Sequence, residues 1–121
     1  SPIFTVLVRE SRHTHELLEN AKDFTVSVPL DNKMNKALGY CGSKSGRDFD
    51  KFKECNLDIL DSKSVKSPAI GSCQMIYECK IVYKHPMDSE LLDSEVKNEW
   101  YEKGDLHTIY YGEIVNCYCN K

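Results

Sequence analysis

Arginine is rationed in this chain. Sixteen residues are Lys or Arg, and only Arg9, Arg12 and Arg47 are arginine. They fall in two short segments, Arg9-Glu10-Ser11-Arg12-His13-Thr14-His15 and Ser43-Lys44-Ser45-Gly46-Arg47-Asp48-Phe49-Asp50-Lys51-Phe52. A guanidinium offers a planar fork of donors that grips a phosphate or carboxylate through two bonds at once. The neighbours are Ser, Thr, Gly and His, so two loops of this composition could build an anion site. The same residues also suit three surface arginines beside capped turns, and composition alone favours neither reading.

The elements around these segments come from apolar spacing. Ile3 to Val8 is rich in β-branched and apolar residues and reads as a buried strand. A short helix, His15 to Lys22, follows, with Ser11 or Thr14 as its cap and Leu17, Leu18 and Ala21 as its apolar face. A strand that turns into a helix places free N–H groups and a positive dipole end beside Arg9, Ser11, Arg12, His13 and Thr14. Phe24 to Val28 is a second strand ended by Pro29. Asp31 caps a helix carrying Met34, Ala37, Leu38 and Cys41 at i, i+3, i+4 and i+7, closed by Gly42. Ser45 caps a third, with Phe49 and Phe52 inward and Arg47 and Lys51 four residues apart on one face. Gly46 allows a backbone conformation closed to other residues.

Beyond a polar loop, residues 61–67, Gln74 to Tyr83 reads as a long strand. Met75, Tyr77, Cys79, Ile81 and Tyr83 share one face, and Ile76, Glu78, Lys80 and Val82 the other, with Glu78 and Lys80 read as a cross-strand charge pair. Asp88 to Lys103 has helical spacing in Leu92, Val96 and Trp100, and His107 to Tyr118 is the last strand. Gly112 in that strand marks a bulge or a close approach by a ligand or another backbone. The expected fold class is α+β, mainly β: an antiparallel barrel with flanking helices, which alternation alone does not separate from an open sheet.

Bulk properties narrow the class. The chain has 121 residues, enough for one domain with one core. Hydrophobic residues make up 40% and charged residues 29%, an ordinary globular balance. The net charge of −3 gives no field that favours nucleic acid or an acidic membrane. No apolar run approaches the roughly 20 residues that cross a bilayer, and no signal-peptide pattern opens the chain. The six cysteines include no C-x-x-C pair and give no zinc-knuckle spacing. They read as reduced thiols of a cytoplasmic protein, with a disulfide scaffold or a metal site as the other possibilities. No nucleophile elbow and no G-x-x-x-x-G-K-[ST] loop is present.

Three stretches appear in a telling order. They are Phe24-Thr25-Val26-Ser27-Val28-Pro29, then Ser45-Gly46-Arg47-Asp48-Phe49-Asp50-Lys51-Phe52, then His107-Thr108-Ile109-Tyr110-Tyr111-Gly112-Glu113-Ile114. Together they resemble the flavin reductase-like family of FMN-binding split barrels, and its flavoredoxin branch in particular. The resemblance covers nearly the whole chain. It implies a split barrel, FMN as cofactor and a homodimer with the flavin near the subunit interface. It implies that Arg9, Ser11, Arg12, His13 and Thr14 hold the FMN phosphate, that Ser45, Gly46, Arg47 and Lys51 close the site, and that His107 approaches the flavin or nicotinamide. Electrons would come from NAD(P)H or a protein donor. Family members begin earlier, whereas this chain opens at Ser1-Pro2 without methionine, so the resemblance also implies that N-terminal strands are missing. Two rival functions stand beside an FMN electron carrier. One is an NAD(P)H:flavin oxidoreductase that uses flavin as substrate. The other is a flavin-free barrel acting as an interaction module.

Overall fold

The computed structural model describes residues 2–37, 53, 55 and 57–120. Its elements are β1 (Ile3–Arg9), α1 (His13–Glu19), β2 (Asp23–Val28), β3 (Ile59–Leu60), β4 (Ala69–Ile70) and β5 (Met75–Pro86), then a 3-10 turn (Ser89–Leu91), α2 (Ser94–Trp100) and β6 (His107–Cys119). The expected helix after Ser45, and Leu38, Cys41 and Gly42 of the helix before it, lie outside the described residues. Four strands form one curled antiparallel sheet in the order β1-β6-β5-β2, and β3 and β4 form a separate two-stranded piece. The mainly β split-barrel class expected from the sequence is the class observed.

Each face of the sheet carries its own core. On one face Leu18 of α1 packs with Phe24, Cys79 and Tyr110, bordered by Phe4, Val6, Val8, Tyr77 and Ile114. On the other, Ile76 packs with Met34, Ala69 and Cys73, and Tyr118 and Leu60 border them. Gly112 explains itself here. A Cβ at this position would collide with the Phe24 ring and come within 2.7 Å of the Cys79 Cβ. The close approach is by a neighbouring aromatic side chain.

Several local expectations are corrected. α1 starts two residues early, at Arg12 as N-cap, without a side-chain capping bond. The Ser11 hydroxyl is engaged elsewhere, at 2.6 Å from Asp105 Oδ2. The helix stops by Asn20, and the Lys22 carbonyl accepts from the Ile81 N–H instead, drawing the chain into β2. The stretch 88–103 is two short elements rather than one helix. Asp88 and Asp93 each cap their own start, and Trp100 is left 61% exposed. Glu78 does not pair with Lys80. It is fully buried, while Lys80 stands opposite Glu113 on β6. The alternation on β5 holds as far as Ile81. The register then shifts between Ile81 and Tyr83, so Tyr83 changes face and stacks on Tyr111 at 5.6 Å.

Candidate functional site

The first arginine segment lies where β1 ends and β6 begins, with Arg9 opposite His107 in the antiparallel register. Arg9 reaches across to the connection that follows α2. Its Nη1 donates to the Asp105 carbonyl at 2.7 Å and its Nη2 to the Trp100 carbonyl at 3.1 Å. The guanidinium carbon lies 5.1 Å from the centre of the Tyr101 ring, a cation-π distance. Ser11 closes the corner from the other side. Its N–H donates to Asp105 Oδ1 at 3.1 Å and its hydroxyl to Oδ2 at 2.6 Å. Gly104, with φ of 76°, makes the left-handed turn that brings Asp105 round to face Ser11.

His107 is the inner wall of this corner. Its Nδ1 lies 2.7 Å from the Tyr101 hydroxyl, and the two rings meet edge to face. Burial, and then the Arg9 charge, push the His107 pKa down, while Asp105 opposes them. The imidazole is therefore neutral at neutral pH. The Ser11 hydroxyl bond, helped by the Ser11 N–H and Arg9, outweighs burial and holds the Asp105 carboxyl below its usual range. An open cavity of about 320 Å³ lies outside the corner, lined by Arg9, Trp100, Tyr101, Asp105 and the Glu99, Glu102 and Lys103 side chains.

The other expected ligands are placed as follows. Arg12 and Thr14 are exposed at the start of α1, and among the described residues no hydrogen bond or ion pair engages either side chain. His13 Nδ1 lies 3.3 Å from Glu16 Oε2. His15 turns inward, with Nε2 3.2 Å from the Thr108 hydroxyl. The structure thus brings Arg9, Ser11 and His107 together and leaves Arg12 and Thr14 facing outward beside them. Ser45, Gly46, Arg47 and Lys51 lie outside the described residues. Sequence reading missed Tyr101 and Asp105. The Gly104-Asp105 turn just before a strand was the available signal for Asp105. Nothing in the local pattern marked Tyr101.

The sequence matches the family described as flavin reductase like domain over residues 1–121. The chain belongs to the flavin reductase-like family. An uncharacterized protein of Archaeoglobus fulgidus is 33% identical over 111 residues, which is 92% of this chain and 52% of that protein. Among solved structures, the flavoredoxin of Desulfovibrio vulgaris superposes with a TM-score of 0.75 at 22% identity, over 99% of this chain and 54% of that one. An FMN-binding protein of Thermus thermophilus, solved with bound 1-cyclohex-2-enone, gives 0.72 at 23% identity, over 97% of this chain and 53% of that one. These likenesses establish the split-barrel fold. The chain spans about half the length of the relatives it matches. No helix among its described residues is long and apolar enough to cross a membrane.

Proposed function

We propose that this chain is an FMN-binding flavoprotein of the flavoredoxin type, a cytoplasmic oxidoreductase that transfers electrons as a homodimer. The observation that carries the reading is the family match over residues 1–121. FMN, when bound, supplies the redox chemistry, and the protein binds and orients it. The residues proposed to hold the phosphate are Arg9, Ser11, Arg12, His13 and Thr14, with Ser45, Gly46, Arg47 and Lys51 as a second arm. Arg12 and Thr14 fit a phosphate best, because at the head of α1 they are exposed and their side chains engage no partner among the described residues. Arg9 and Ser11 would share the anion with Asp105, which already engages both residues. His107 is the proposed catalytic residue. Its Nδ1 is held by the Tyr101 hydroxyl, and its lowered pKa keeps the imidazole neutral.

The dimer draws support from the outer sheet face, where Ile3, Leu7, Tyr83 and Tyr111 are all more than a third exposed. The described free thiols support a reducing compartment. The proposed donor is NAD(P)H or a reduced protein.

The test is a flavin fluorescence titration with FMN and with riboflavin, which lacks the phosphate. Arg12→Ala is expected to weaken FMN about tenfold to a hundredfold, the loss of one charge-assisted bond. Riboflavin should bind the parent weakly and be little changed by the substitution. Equal binding of FMN and riboflavin by the parent would remove the phosphate site. Binding of neither would leave the flavin-free module. Rapid turnover of added FMN by a nicotinamide donor would instead favour the reductase.

A further inference from the structure

Met75, Cys117 and Cys119 lie on neighbouring strands where β5 begins and β6 ends. Met75 is opposite Cys119 in the antiparallel register, and Tyr77 is opposite Cys117. Cys119 Sγ lies 3.4 Å from Met75 Sδ. Alternation puts Met75, Tyr77, Cys117 and Cys119 on one face, the face on which Tyr77 borders the core beneath α1. Cys117 and Cys119 are both exposed free thiols. The backbone that presents them is held tightly. Between them, the Tyr118 hydroxyl bonds to Glu78 on the opposite face. Beyond them, Asn120 donates through its amide to the Gly71 and Cys73 carbonyls and through its backbone to Gln74.

Two alternatives for these thiols are excluded by geometry. Residues two apart on a strand are separated by about 6.6–6.8 Å. A disulfide needs its Cβ atoms within about 3.5–4.5 Å, so Cys117 and Cys119 cannot join without moving the backbone. A metal bonded to two sulfurs at about 2.3 Å each, the length seen in zinc thiolates, spans about 4.6 Å, which side chains leaning together can reach. Zinc itself wants four ligands. Among the described residues no group of three or more His, Cys, Asp or Glu could hold a metal ion. The donors here are two thiols and a thioether, the set that selects a soft ion. Cys79 is fully buried and contributes no exposed thiol.

We propose that Met75, Cys117 and Cys119 form a site for copper(I), bound by two thiolates with the Met75 thioether as third ligand. The proposal is independent of flavin. Binding replaces two thiol protons, which leave to solvent, so a neutral pair of thiols plus one positive ion becomes a complex of charge −1. No electron moves in this step.

The experiment is an oxygen-free competition titration of the reduced full chain with copper(I) held by the chelator bicinchoninate. One ion per chain is expected, with sulfur-to-copper charge-transfer absorption and release of two protons. Cys117→Ser and Cys119→Ser should each weaken binding by more than the roughly 10- to 100-fold typical of losing an outer-shell partner. Met75→Leu keeps the volume and removes the sulfur, and about a tenfold loss is expected. Cys55→Ser, outside the site, should bind as the parent does. Circular dichroism of each variant should match the parent, since both thiols are exposed. A Cys117→Ser/Cys119→Ser double variant that keeps the parent's affinity would overturn the site. So would a parent that draws no copper from the chelator. Unchanged binding by Met75→Leu would overturn the three-ligand geometry.

Discussion

Two carboxylates hold loops against this sheet, and they do so under opposite conditions. Asp105 sits half-exposed at the corner of β1 and β6, where it accepts from Ser11. Glu78 sits fully buried in the middle of β5. It accepts from the Lys63 N–H at 2.8 Å, the Ser64 N–H at 2.6 Å and the Tyr118 hydroxyl at 2.5 Å. Lys63 then lays its ammonium 4.0 Å from the centre of the Tyr118 ring. Water can replace the Asp105 bonds as they break. Glu78 itself is fully buried, so a bond broken there strands a charge away from water, and the same chemistry carries more stability there. The comparison suggests a division of labour. The buried clamp fixes the fold, and the exposed one can yield to a ligand.

The largest expected effect is at Glu78. Glu78→Ala takes the acceptor away from the Lys63 and Ser64 N–H groups and the Tyr118 hydroxyl, bonds to a charged group worth about 1.5–3 kcal/mol each, and empties a buried position. A loss of roughly 3–5 kcal/mol in urea unfolding is expected, enough to unfold a marginal domain. A loss below about 1 kcal/mol would mean that water enters this cluster and that the contrast with Asp105 is false.

An acid titration sharpens the same point. Burial alone would raise the Glu78 pKa, but the bonds from Lys63, Tyr118 and Ser64 outweigh it and leave the carboxyl below its ordinary value of 4.5. Asp23 is likewise held low, its bonds from Ser67 and Lys66 outweighing burial. A folded pKa below the unfolded one means that the stabilisation is complete above about pH 4.5 and drains away as pH falls through the folded value. Urea midpoints should therefore be flat in neutral solution and decline on the acid side. In Glu78→Gln, if it folds, the decline should be shallower. Parallel declines in parent and variant would assign the acid sensitivity to other groups.

The smallest effect is expected at the exposed corner. Asp105→Asn should lower stability by about 1 kcal/mol or less, because solvent takes over its bonds. It should also weaken the Asp105 hold on Ser11 and remove a negative charge beside Arg9. FMN affinity should then rise or hold in the same fluorescence titration that tests Arg12. A loss of FMN affinity from Asp105→Asn would show that the carboxylate positions the turn and does not compete with the phosphate.

The strands β1, β2, β5 and β6 were legible in the sequence because their β-branched and apolar runs act locally through burial. Gly112, Leu18 and Phe24 were recognisable as special or apolar residues for the same reason. The family was legible too, in the order of three segments. What the sequence left open is mostly polar. Along β2, Asp23 accepts from Lys66 and Ser67, Thr25 donates to the Pro68 carbonyl, and Ser27 accepts from Ile70. This ladder joins residues more than forty apart in the chain, and nothing in the spacing of Asp23, Thr25 and Ser27 names their partners. Glu78 looked like half of a surface pair, because a charge on a strand normally faces water. The loop carrying Lys63 and Ser64 folds over that face and reverses its environment. Local pattern thus determined which segments extend and which apolar side chains turn inward. Only tertiary structure decided which polar groups are buried and paired, because a hydrogen bond depends on whichever donor long-range folding delivers within about 3 Å.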